Sequence, residues 1–164
     1  MTNNKEAKSR FKELAKYPDA LGYDEQSKGF LVLHKGHQPG GIADEIMACL
    51  LLKGKGYGVL LMDESESTGK EPDVLINGKS YDIKRVYQTE NLLNRLSKLF
   101  KKVGKMGLDK IVLHIDQVVE ISELVAVLAE TAARRPNVNE MILIIDGKIF
   151  ELSRTQMVNR EWHK

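Results

Sequence analysis

Apolar positions along the chain follow two periods, about 3.6 and 2, and the switches between them mark the elements. Over 4–16, Ala7, Phe11, Leu14 and Ala15 fall on a helical stripe that ends at Tyr17-Pro18. Segment 29–35 (GFLVLHK) reads as a strand and is followed by the loop HQPGG. From 41 to 53, Ile42, Ile46, Met47, Cys49, Leu50 and Leu51 predict a strongly apolar helix that stops at Gly54, and 57–62 (YGVLLM) a short strand. The polar run 63–70 is a loop. From 89 to 104, Leu92, Leu93, Leu96, Leu99, Phe100 and Val103 recur at i, i+3, i+4, i+7, which predicts an amphipathic helix closed by Gly104. A strand over 110–115, an Ala/Leu-rich helix over 122–134 and a strand pair, 141–146 and 148–152, around Asp146-Gly147 complete the reading. The tail 153–164 carries no assignment.

The segment 71–86, EPDVLINGKSYDIKRV, breaks the apolar pattern with two aspartates and a lysine. Asn77-Gly78 is a strong hairpin signal, because a two-residue type I′ turn needs positive φ at both positions. Pairing outward from that turn sets 76 opposite 79, 75 opposite 80, 74 opposite 81, and Asp73 opposite Asp82. Lys84, two residues on, falls on the same face. Like charges directly opposed across a strand pair destabilise it, and a divalent cation is the simplest offset.

Composition narrows the classes. A chain of 164 residues, 42% apolar, suits one domain with a substantial core, and the single cysteine, Cys49, excludes an internal disulfide and reads as a buried small hydrophobe. The formal charge of +2 is no global signature of nucleic-acid binding, but Arg95, Lys98, Lys101, Lys102, Lys105 and Lys110 face only Asp109 between 95 and 110. A local basic patch follows on the polar face of the predicted helix. The N-terminus lacks the apolar core of a signal peptide, and no run approaches the roughly 18 apolar residues of a membrane span. The expected architecture is α/β: a single domain with a central mixed sheet flanked by helices.

With Glu45 on the first helix, Pro72-Asp73 on one strand and Asp82-Ile83-Lys84 on the next, the segment 41–115 resembles the PD-(D/E)xK nuclease superfamily in both motif and αβββαβ order. The resemblance implies a restriction-endonuclease-like core, with additions at 4–35 and 119–152. It also implies a phosphodiester hydrolase whose site is Glu45, Asp73, Asp82 and Lys84. Asp73, Asp82, Glu45 and the Ile83 main-chain carbonyl would hold Mg²⁺ or Mn²⁺, since hard cations take oxygen ligands. Lys84 would position or deprotonate the attacking water. Arg95, Lys98, Lys101, Lys102 and Lys105 would meet phosphates. Arg85 points to the opposite face of an ideal strand and receives no role.

Within that superfamily the chain is similar to the nuclease domains at the C-termini of bacterial contact-dependent inhibition toxins. The shared pattern is KGYGVLL, K-E-P-D, the N-G turn, D-I-K and a lysine-rich helix. This likeness implies tRNA as the substrate, a cognate immunity protein as partner, and action in the cytoplasm of a neighbouring cell after delivery within a larger secreted protein. The start at Met1 with a charged helix departs from toxins that follow a delivery region, so a fragment and a free-standing enzyme both stay open.

Each feature has a plainer account. Asp73 could merely initiate a strand after proline, and Asp82 could be a surface residue of an exposed hairpin. Glu45, with Asp44 as its neighbour and rival, is favoured near a helix N-terminus by the macrodipole alone. The basic run could be only a solvated face. His34 and His37 lack further ligands for zinc. Ser67-Thr68-Gly69-Lys70 lacks the upstream glycine and the Ser/Thr of a phosphate-binding loop. Tyr57, Tyr81 and Tyr87 are the aromatics nearest the motif for stacking on unpaired bases. DNA is the alternative substrate. A non-catalytic nucleic-acid or protein-binding module, with the acidic hairpin as docking surface, is the alternative class.

Overall fold

Asn77 and Gly78 take φ of 50° and 83°, as a two-residue turn between right-twisted strands requires. The register they set is the one the sequence predicts: Ile76 opposite Lys79, Leu75 opposite Ser80, Val74 opposite Tyr81. The computed structural model describes residues 22–33, 42–61, 74–87, 90–117 and 119–162. The helix expected over 4–16, His34, His37, the polar loop 63–70 and Asp73 lie outside the described residues.

The chain is of α/β class. Its elements run β1 (Gly22–Tyr23), β2 (Phe30–Leu33), α1 (Ile42–Gly54), β3 (Gly58–Leu61), β4 (Val74–Ile76), β5 (Lys79–Val86), α2 (Leu92–Lys105), β6 (Lys110–Ile115), α3 (Ile121–Arg134), β7 (Glu140–Ile145), β8 (Lys148–Ser153) and α4 (Arg154–Val158). From α1 to β6 the order is the expected αβββαβ. The chain divides into two compact units, and the boundary between Tyr81 and Asp82 falls inside β5.

In the first unit β2 and β3 are parallel, and α1 lies between them in the chain, as a parallel connection requires. The other pairs, β1 with β2, β3 with β4 and β4 with the start of β5, are antiparallel. Ala48, Cys49 and Leu52 of α1 are fully buried, so Cys49 is the packed hydrophobe expected. At Gly29, a Cβ would stand 2.1 Å from the Lys53 carbonyl oxygen. Glycine is required here by the close approach of two backbones rather than by a turn. Two bonds hold that junction: the Ser27 hydroxyl donates to the Lys53 carbonyl at 2.8 Å, and Phe30 N–H to the Tyr57 carbonyl at 3.1 Å.

In the second unit β5, β6 and β7 are parallel and β8 returns antiparallel to β7. Strand β6 coincides with the predicted 110–115. Ile111, Leu113, Ile115, Met141, Leu143 and Ile145 pack beneath α2 and α3 in one core. The stripe of α2 (Leu92, Leu96, Leu99, Phe100, Val103) is buried as its period dictates.

Two expectations are corrected. Gly104 does not close α2. The closing glycine is Gly107, at φ 73°, where Leu108 N–H bonds the Val103 carbonyl and Gly107 N–H that of Gly104, the bond pattern of a Schellman cap. Gly104 instead leaves room for Asn137, whose side-chain amide donates to the Phe100 carbonyl at 2.7 Å. The unassigned tail, moreover, is structured. Ser153 and Gln156 form a reciprocal capping box for α4, the Arg154 guanidinium donates to the Ala132 carbonyl, and Trp162 meets Phe150 edge to face at 5.4 Å.

Candidate active site and basic helix

Two of the candidate site residues, Asp82 and Lys84, lie on β5, where parallel pairing with β6 fixes which side chain stands beside which. Asp82 aligns with Ile111, Lys84 with Leu113 and Val86 with Ile115, three residues of the core beneath α2 and α3. Strand alternation places Asp82, Lys84 and Val86 on that same face. Ile83 and Arg85 belong to the other, aligned with Val112 and His114.

Asp82 is 3% exposed, which overturns the plainer account of it as a surface residue on an open hairpin. A carboxylate is left at such a position only when hydrogen bonds or cations compensate its lost hydration. Lys84, two residues on, is exposed. The strand therefore offers a desolvated acid and a solvent-facing ammonium on one face. Glu45 lies on α1, but its side chain, like that of Asp44, is outside the description.

Arg85, given no role from sequence, anchors a second group at the end of β5. Its guanidinium pairs with the Asp116 carboxylate at 2.5 Å and lies 4.8 Å from the centroid of the Tyr87 ring. The ion pair holds Asp116 below its ordinary carboxylate range. His114, aligned with Arg85 and 7% exposed, has an Nδ1 that meets no hydrogen-bond partner among the described residues. Burial, and then the Arg85 guanidinium, push this imidazole below its ordinary value, against the opposing pull of Asp116. A histidine inside an apolar strand and an aspartate just past its end were visible in KIVLHID. Their meeting with Arg85 depends on the β5–β6 register, which no local turn encodes.

Arg95, Lys98, Lys101, Lys102 and Lys105 are all exposed, on the face of α2 opposite its buried stripe. Arg95 Nε donates to the Glu90 carbonyl at 2.8 Å. Beside it opens a pocket of about 330 Å³ lined by Lys84, Arg85, Val86, Tyr87, Arg95, Leu96 and Leu99. Lys110 departs from the patch, since its ammonium pairs with Asp109 at 2.8 Å. That bond, followed by the Asn139 amide, lowers the Asp109 carboxyl. Of the three tyrosines weighed for stacking, Tyr81 is buried, Tyr57 half-buried and Tyr87 exposed at 46%.

The described residues contain no group of three or more His, Cys, Asp or Glu able to hold a metal. Asp82 and the adjacent Ile83 carbonyl are oxygen donors of the kind a hard cation takes. No helix among the described residues is long and apolar enough to cross a membrane.

No curated protein and no solved structure matches the chain. Residues 70–150 match the family model described as the contact-dependent growth inhibition CdiA C-terminal domain, so the chain is similar to that family over the stretch that carries Asp73, Asp82, Lys84 and the basic helix.

Proposed function

We propose that the chain is a metal-dependent nuclease of restriction-endonuclease-like core that hydrolyses phosphodiester bonds in RNA, with tRNA the favoured substrate, as the toxin domain of a contact-dependent inhibition system. The observation that carries this reading is the β4–β5 register, which matches the predicted pairing at Ile76–Lys79, Leu75–Ser80 and Val74–Tyr81, the Asp73–Asp82 pair lying outside the described residues, and leads into a buried Asp82 followed by an exposed Lys84. The family match over 70–150 supports the toxin assignment. The burial of Asp82 favours this reading over the rival in which the acidic hairpin is a protein-docking surface.

In this mechanism Asp73, Asp82, Glu45 and the Ile83 carbonyl would hold Mg²⁺ or Mn²⁺. When bound, the cation supplies charge neutralisation at the scissile phosphate and orientation of water. Lys84 holds the attacking water or a non-bridging phosphate oxygen by its ammonium. Water oxygen adds to phosphorus, the bond from phosphorus to the leaving ester oxygen breaks, and that oxygen leaves with a proton. The exposed cations of α2 grip the flanking backbone, giving affinity that falls with salt. By the same likeness, an immunity protein shields the producing cell and a larger secreted protein carries the domain into the target cytoplasm.

The test is incubation of the protein with tRNA and with plasmid DNA in Mg²⁺, Mn²⁺ or EDTA, alongside Asp82→Ala and Lys84→Ala. Cleavage of tRNA that chelation and either substitution abolish is the expected result. Cleavage that survives both substitutions removes this site, and binding of nucleic acid without cutting removes the enzyme.

A further inference from the structure

The end of β5 carries two features that the hydrolytic chemistry leaves unexplained: the Asp116–Arg85–Tyr87 chain with its exposed ring, and the pocket beside Arg95, of whose lining Lys84 has a part in hydrolysis. Each belongs to the second unit, and together they have the parts of a nucleotide site. The pocket's volume, about 330 Å³, falls at the small end of the roughly 300–1,000 Å³ typical of small-ligand sites. Three cations, Lys84, Arg85 and Arg95, line it, and Leu96 and Leu99 supply apolar wall. The first turn of α2 contains no acidic residue, and Glu90 meets Arg95 through its main-chain carbonyl. Asp116 is committed to Arg85.

The chain of contacts matters because it fixes the aromatic ring. Asp116 holds the Arg85 guanidinium, and the guanidinium lies against Tyr87 at 4.8 Å from the ring centroid, so the ring is backed by a planar cation while 46% of the residue faces solvent. A ring held in this way loses little side-chain freedom when a base stacks on it, and stacking is open only to a base not already stacked within a duplex.

We propose that this pocket binds one unpaired nucleotide of the substrate strand, with its phosphate held by Lys84 and Arg95 and its base stacked on Tyr87. The inference rests on nucleic acid being the substrate, as in the preceding reading, and does not require that it be cut. It makes Tyr87 a specificity residue that selects single-stranded or looped segments, with Arg85 and Asp116 positioning it.

The experiment measures binding of a short fluorescent RNA, and of the same backbone with its bases removed, to the full chain in EDTA. Tyr87→Ala is expected to weaken the base-bearing RNA roughly 5- to 100-fold and leave the abasic strand unchanged, with Tyr87→Phe restoring wild-type binding. Arg95→Ala is expected to weaken both strands and to reduce the salt slope by about one. The proposal is overturned if Tyr87→Ala weakens both strands equally, if it weakens neither, or if the wild-type chain binds no RNA in EDTA. Base-dependent loss in a protein that never cleaves in Mg²⁺ would sink the nuclease reading and leave this one standing. Cleavage by a protein whose binding ignores Tyr87 would do the reverse.

Discussion

Two hairpins in this protein use the same turn chemistry and meet different fates. Asn77-Gly78 and Asp146-Gly147 both take positive φ at both positions, 50° and 83° in the first and 51° and 70° in the second. Past the second turn, β8 pairs with β7 over six residue pairs, and its acid Glu151 is exposed. Past the first, β5 leaves β4 after three pairs, joins β6 in parallel, and carries Asp82 into a buried position. A turn sets register, but the strands beyond it decide whether a polar side chain meets water. Only the first hairpin carries a carboxylate into a buried position.

The comparison breaks most sharply through the acids. Asp82→Asn, close in shape to the native side chain, is expected to lower tRNA cleavage by at least about 10²-fold, whereas Glu151→Ala leaves the rate unchanged in the same gel assay. Equal effects would remove the distinction between the hairpins.

Next come the turns. Valine at Gly78 or Gly147 would be forced into a left-handed conformation at about 1–2 kcal/mol, so each variant should melt at lower temperature by calorimetry. Gly78→Val should also impair cleavage, and Gly147→Val should spare it. A smaller loss, about 1 kcal/mol in urea titration, is expected of Ser153→Ala, which removes the cap joining β8 to α4.

The smallest effect belongs to His114. Its folded value lies below the ordinary 6.5, so between the two the unfolded chain binds more protons. Stability contributed by the neutral imidazole is therefore present above 6.5 and lost as pH falls through that window. His114→Asn should flatten the pH dependence of the urea midpoint just below 6.5. An unchanged slope would show that some other group governs it.

Much of this was legible in the sequence because it is encoded locally. Positive-φ residues fix a tight turn wherever they stand, so Asn77-Gly78 specified three strand pairs correctly. The 3.6-residue stripe of Leu92, Leu96, Leu99, Phe100 and Val103 specified both the buried face of α2 and, by exclusion, the exposed cations. The cap of α2 was misplaced by three residues, because Gly104 and Gly107 look alike in a sequence and only the neighbouring Asn137 explains why the first lies within the helix. The capping box at Ser153 and Gln156 was present in the tail but had no apolar run beside it to announce a helix.

The sequence by itself determined the α/β class, the turn, the acids and lysine of the motif and the basic helix face, since each follows from side-chain period or backbone freedom over a few residues. Only the tertiary structure decided that Asp82 is buried, that Arg85 joins His114, Asp116 and Tyr87, and that Tyr87 is more exposed than Tyr57 or Tyr81. The reason is that parallel register and burial are set by partners distant along the chain, and no local rule carries that information.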